Sequence, residues 1–188
     1  MADTGQQFVI SITSRDRIGI VRDVSSAISE LRGDIADLRQ SVLCGYFTMI
    51  LIASFPAGVA AETIRARLVA LNTPDKPALE ITVNQVEGPA ADEAGALKNA
   101  YVLTASGPDR IGFVATVSSF CAGHQINILD LSTAVADGSY IMMLLVDLSR
   151  CDTGDIRRRL RQFGQETGFN VVLQHYDIFK ATHEVGVL

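Results

Sequence analysis

The stretch "SRDRIGIVRDVSS" occupies residues 14–26, and "GPDRIGFVATVSS" occupies residues 107–119. Shifted so that residue 14 falls on residue 107, residues 8–54 overlie 101–147 without a gap, and 16 of the 47 positions agree. Asp16 falls on Asp109, Arg17 on Arg110, Ile18 on Ile111, Gly19 on Gly112, Ile35 on Ile128, Asp37 on Asp130 and Gly45 on Gly138. One deletion later, Ile64, Arg65, Arg67 and Leu68 meet Ile156, Arg157, Arg159 and Leu160. The chain is a tandem duplication, and the repeat sets the fold problem: solve one unit and the other follows.

Each copy spells the same order of elements. "FVISIT" (8–13) and "YVLTAS" (101–106) are β-branched and aromatic runs that end in polar turn residues, so both are expected to be strands. A helix follows, with Ile20, Val21, Val24, Ala27, Ile28 and Leu31 at helical spacing, and Phe113, Val114, Val117, Phe120 and Cys121 in the second copy. Gly33 stands where a C-terminal cap is expected. Strands are expected at 35–43 and 128–136, turns at Gly45 and Gly138, and apolar strands at 46–53 and 140–146. Ile64, Leu68 and Leu71, then Ile156, Leu160 and Phe163, mark a second helix, and 78–86 and 170–178 a last strand. The order βαββαβ, twice, predicts an α+β chain of two ferredoxin-like units, each an antiparallel sheet with two helices on one face. The expected boundaries are 1–88 and 99–188, with 89–98 as a Gly-, Pro- and acid-rich linker. The tail 180–188 has no clear period.

A sheet covered on one face should alternate apolar and polar residues. The run 46–53 does not: Tyr46, Thr48, Ile50 and Ile52 oppose Phe47, Met49, Leu51 and Ala53, and both sets are largely apolar. The open face is therefore expected to meet the other repeat or a second chain, and a homodimer is expected.

Composition narrows the function. A net charge of −5 and a pI near 5.1 argue against a nucleic-acid footprint, which needs a basic face, and against an anionic membrane surface. The apolar stretches 47–55 and 140–148 are far shorter than the ~20 residues of a membrane helix. Cys44, Cys121 and Cys151 are odd in number and share no metal or redox spacing, which suits free thiols in a reducing compartment. The expected location is the cytoplasm. No nucleophile elbow, Walker loop or zinc-protease motif occurs, so no catalytic residue, metal site or cofactor is expected. His124 is expected in the last turn of a helix, His175 half-buried in a strand, and the arginines of 157–161 on a solvated helix face.

What is left is the repeated Asp-Arg-Ile-Gly between strand and helix. A glycine at the first turn lets a ligand approach the backbone, a helix start offers unpaired N–H groups, and Asp and Arg add an acceptor and a donor fork. That set suits a zwitterion. It equally suits a turn in which Asp16 or Asp109 simply caps the helix.

With "DRIGFVATVSSF" followed by "INILDLST", and the same order in the first copy, the chain resembles the ACT domain, a small-molecule-binding regulatory module. The resemblance spans roughly residues 6–88 and 99–180. As a tandem pair it is most similar to the glycine cleavage system transcriptional repressor group. The resemblance implies a non-enzymatic regulator that binds a small amino acid at interfaces between ACT units and signals to a protein partner, with regulation of glycine cleavage or related metabolism among its implications. A regulatory subunit of an amino-acid-pathway enzyme is the alternative. Carried over, the contacts are Asp109, Arg110, Ile111 and Gly112 with Asn127 and Ile128, and Asp16, Arg17, Ile18 and Gly19 with Asp34 and Ile35. Two departures stand out. The proline usual in such a loop is isoleucine in both copies, and Asp34, which only accepts hydrogen bonds, replaces the amide of Asn127.

Overall fold

Side chains alternate across a strand, so burial alternates wherever one face is covered. The first unit follows this closely. In β1 (Gln6–Arg15), Phe8, Ile10, Ile12 and Ser14 are buried, and in β3 (Tyr46–Phe55), Phe47, Met49, Leu51, Ala53 and Phe55 are buried. Against that face lie Ile20, Val24, Ala27 and Ile28 of α1 (Ile20–Glu30) and Ile64 and Leu68 of α2 (Ala61–Val69). β2 (Asp34–Leu43) and β4 (Glu80–Gln85) are the edges of an antiparallel sheet in the order β2-β3-β1-β4. Cys44 and Gly45, at φ 50° and 76°, form the two-residue hairpin between β2 and β3.

The second unit repeats the plan with β5 (Ala100–Pro108), α3 (Phe113–Gly123), β6 (Asn127–Ala136), β7 (Ser139–Asp147), α4 (Thr153–Thr167) and β8 (Asn170–His175), in the order β6-β7-β5-β8. Its core gathers Leu103, Phe113, Val117, Met142, Leu144, Ile156, Leu160 and Phe169. The computed structural model describes residues 5–86, 97–136 and 138–183, and it divides into the two units Met1–Ala90 and Ala91–Leu188. The expected linker lies largely outside the described residues. The α+β, twice-βαββαβ plan read from the sequence is the observed one.

Three local expectations are corrected. The run 170–178 is not one strand. β8 ends at His175, where its partner β5 runs out at Tyr101 and Ala100, and α5 (Tyr176–His183) begins. Tyr176 and Phe179 of α5 line a hollow of about 190 Å³ with Val102, Met143 and Leu145 on the open face of the sheet, and Val102 there is buried. Gly33 is not the left-handed cap of α1; Arg32 takes that conformation at φ 57°. The Arg32 N–H donates to Ser29 O at 2.8 Å and the Gly33 N–H to Ile28 O at 2.9 Å, which closes a Schellman motif. Gln125, at φ 56°, does the same after α3. Glycine is needed at 33 for space, because a Cβ would sit 2.5 Å from the Phe55 ring and 2.7 Å from Ile28. Finally, Asp16 and Asp109 do not cap the helices. The residues before α1 and α3 are Gly19 and Gly112, and neither helix start carries a side-chain cap.

His124 is the C-terminal cap of α3, with Nδ1 2.8 Å from Phe120 O and its ring stacked on Phe120. His175 is half-buried beside Tyr101. Arg158 and Arg159 of α4 pair with Asp155, and Arg157 donates to Leu173 O.

Two glycines give opposite expectations. Gly33→Ala should cost about 1–3 kcal/mol through overpacking. Gly123→Ala, whose Cβ meets nothing within 4 Å, should gain up to about 1 kcal/mol from helix propensity. Urea unfolding followed by fluorescence of residues placed in each unit separates the two effects, and equal loss at both sites contradicts the packing argument.

Candidate functional site

Each copy of Asp-Arg-Ile-Gly closes a strand and opens a helix, and the turn is made by its glycine. Gly19 and Gly112 sit at φ 92° and 89°, a region that L side chains rarely enter. Conformation, more than room for a ligand, explains glycine at Gly112, where a Cβ would meet nothing within 4 Å. Ile18 and Ile111, just before the glycines, project fully into solvent. Asp16 and Asp109 are exposed, and the Asp16 N–H donates to Gly45 O at 2.9 Å.

The two loops differ in what fills the space beside them. In the first copy Asp23, in the opening turn of α1, accepts from Arg17 Nη1 at 2.9 Å and from Arg22 Nη2 at 2.7 Å, with Lys76 Nζ at 3.7 Å. Asp23 and Arg17 keep only 11% and 15% of their side-chain surface. The Arg22 hydrogen bond, then that of Arg17, holds the Asp23 carboxyl below the ordinary aspartate value. Arg22 Nη2 and Arg17 Nη1 lie 3.5 and 3.9 Å from where a Gly19 Cβ would be. The first loop is thus filled from within by a carboxylate and two guanidinium groups.

The second copy has Ala115 and Thr116 at the places of Arg22 and Asp23. Thr116 turns its hydroxyl back to Gly112 O at 2.9 Å. Among the described residues Arg110 has no carboxylate partner; its Nη2 donates to Thr167 O at 3.1 Å and its guanidinium lies 4.5 Å over the Phe169 ring. An open groove of about 450 Å³ results, lined by Arg110, Gly112, Phe113, Val114, Ala115 and Tyr140. Phe113 packs on Tyr140 at 5.0 Å and on Phe169 at 4.2 Å.

Within one unit the residues carried over from the resemblance fall into two groups. β1 ends beside the β2–β3 hairpin, with Arg15 opposite Tyr46 and Tyr46 opposite Leu43, whereas Asp34 opens β2 at the far end, opposite Ser54. The second unit matches: Pro108 is opposite Ser139, and Asn127 is opposite Asp147. A ten-residue strand puts about 30 Å between the two ends. Asn127, Ile128, Asp34 and Ile35 therefore do not face the loop of their own unit. Arg22, Asp23, Tyr140 and Phe169 were not among the expected site residues, and Phe113 was expected only in the apolar stripe of its helix. The mismatch of Arg22-Asp23 with Ala115-Thr116 in the repeat alignment was the available signal.

Among the described residues no cluster of His, Cys, Asp or Glu could hold a metal ion, and no helix is long and apolar enough to cross a membrane. Burial pushes the Cys121 thiol up to about 11.

Comparison with known proteins gives the family. The ACT domain matches residues 6–75 and again 99–174. The chain belongs to the ACT domain family. A UPF0237 protein of Methanopyrus kandleri is 43% identical over 86 residues, which is 45% of this chain and 96% of that relative, so it is the size of one ACT unit. A protein of Galdieria sulphuraria described as unknown has a crystal structure with a TM-score of 0.71 and 26% identity, over 90% of this chain and 97% of its own. A proposed glycine cleavage system transcriptional repressor shares the fold at a TM-score of 0.61 and 17% identity, over 90% and 96% of the two chains.

The partly covered Asp23 sets a pH dependence. A carboxyl held below its unfolded value stabilises the fold at pH above that value, and the contribution disappears as pH falls through the depressed one. Amide exchange in α1 should therefore speed up below about pH 4. In Asp23→Asn it should be faster at neutral pH and respond less to acid. An unchanged acid response in the variant would show that other carboxylates govern α1.

Proposed function

We propose that this tandem ACT chain is a non-enzymatic cytoplasmic regulator that binds a free amino acid at the loop after β5 and passes that state to a protein partner. The observation that carries the reading is the contrast between the two loops. In the first, the loop arginine already grips a carboxylate, Asp23. In the second, the same arginine stands beside an open groove in which the matching position is Thr116. A ligand carboxylate at Arg110 and the start of α3 takes the place that Asp23 fills in the first copy. The Asp109 carboxylate is the acceptor for the ligand ammonium.

β6 is an edge strand, exposed along most of its length, with unpaired backbone groups on its outer side. Antiparallel pairing with β6 of a second copy carries that copy's Asn127 across the ~30 Å to the Arg110 end. The amide then donates to the same carboxylate, and the site is complete in a homodimer. An acidic chain at net −5 suits signalling to protein more than to nucleic acid or membrane. The fold shared with a proposed glycine cleavage system transcriptional repressor supports a setting in amino-acid metabolism.

Calorimetric titration of the whole chain with the common amino acids tests the reading. A ligand as small as glycine, with five non-hydrogen atoms, should bind no tighter than micromolar at a ceiling of about 1.5 kcal/mol per atom. Arg110→Gln and Asn127→Asp should each weaken the best ligand by about tenfold or more, since each removes a donor to a charged group. Asp34→Asn should leave that affinity unchanged. Light scattering should report a dimer at micromolar concentration. A chain that stays monomeric and binds no amino acid at millimolar concentration overturns the proposal.

A further inference from the structure

Resting on that reading of the loop after β5, we infer that the groove selects amino acids with a sizeable apolar side chain, of leucine or phenylalanine size, over glycine. Among the described residues lining the ≈ 450 Å³ groove, Arg110 alone is charged, and it stands at the end where the carboxylate belongs. Beyond it the floor is the nearly covered ring of Phe113, and the sides are half-buried Tyr140 with exposed Val114 and Ala115. Val114 keeps 39% of its surface and Ile111 beside it all of its own, so an apolar strip runs on from the charged loop. Glycine has nothing to lay on that strip and leaves it in water. A branched or aromatic side chain covers it.

The first unit shows what closes such a groove. There Arg22 occupies the place of Ala115 and is tied by Asp23 at 2.7 Å. The guanidinium reaches to 3.5 Å from the Gly19 Cβ position, over the edge where an apolar side chain would enter. Ala115 and Thr116 together keep it open in the second unit.

The test titrates the full-length chain with glycine, alanine, leucine and phenylalanine. Leucine or phenylalanine should bind at least about tenfold more tightly than glycine, the discrimination that one or more buried methylenes supply. Val114→Ser and, separately, Tyr140→Ser should weaken leucine and phenylalanine several-fold more than glycine, so that the preference shrinks; Val114 already keeps 39% of its surface in solvent, so its variant keeps the fold. Arg110→Gln should weaken all four ligands alike. The double substitution Ala115→Arg with Thr116→Asp should install the plug of the first unit and remove binding of all four. Glycine binding as tightly as leucine and phenylalanine overturns the inference but leaves the amino-acid reading intact. A preference that survives both serine variants overturns it too, because the side chain then lies elsewhere. Failure of all four ligands to bind the parent chain defeats the underlying reading itself.

Discussion

A single backbone constraint, imposed twice, governs this chain: the strand that ends each first β-run must turn through a left-handed residue to start the helix that covers it. Gly19 and Gly112 meet that constraint at φ 92° and 89°. The turn lays α1 and α3 back across their sheets, and it fixes which face of each sheet is buried. It also forces the residue before the glycine outward, which is why Ile18 and Ile111 stand in solvent although nothing else about isoleucine favours it. In the first copy the arginine one position earlier reaches Asp23 in the opening turn of the helix, whereas in the second it turns to Thr167 O and the Phe169 ring.

From a common loop the two copies reach different electrostatic solutions. The first unit satisfies its arginine internally, in an Asp23–Arg17–Arg22 cluster with Lys76 beside it. Pairing of this kind stabilises little when exposed, but here Asp23 is mostly covered, so loss of either arginine leaves a poorly solvated carboxylate. The second unit lacks the acid, and its arginine settles on an aromatic face and a backbone carbonyl. Those are weaker claims on a guanidinium than a carboxylate makes. Divergence at two helix positions of the duplicated unit has left one loop whose arginine pairs with a carboxylate and one whose arginine borders an open groove.

The repeat makes most of the fold legible in the sequence itself. Elements that recur at one offset with apolar residues at helix or strand spacing are constrained twice, and β1, α1, β3 and their copies fell where the spacing put them. Positions outside that double constraint were less readable. Tyr176 and Phe179 extend the apolar pattern of β8, but a strand needs a partner, and β5 has ended by then. Gly33 has the composition of a cap, yet its real role is to leave room for Phe55, a contact between residues 22 positions apart that no local pattern encodes. The candidate site was half legible. The loop residues stood out because they repeat, whereas Asp23, Arg22 and Tyr140 were hidden because the informative feature is their failure to repeat.

The open sheet faces extend the same asymmetry. In the first unit Val9, Ser11, Ile50 and Ile52 lie on the face away from the helices, and Ile50 keeps 49% of its surface. In the second unit the chain continues past its last strand into α5, whose Tyr176 and Phe179 shelter Val102, the counterpart of Val9. An apolar sheet face left in water is costly at about 25 cal/mol for every Å². The second unit meets that cost with its own C-terminal helix, which lies on the face opposite the groove. The groove and the loop it borders lie at the start of α3 and the β7 end, with Arg110, Phe113, Val114 and Tyr140 around them.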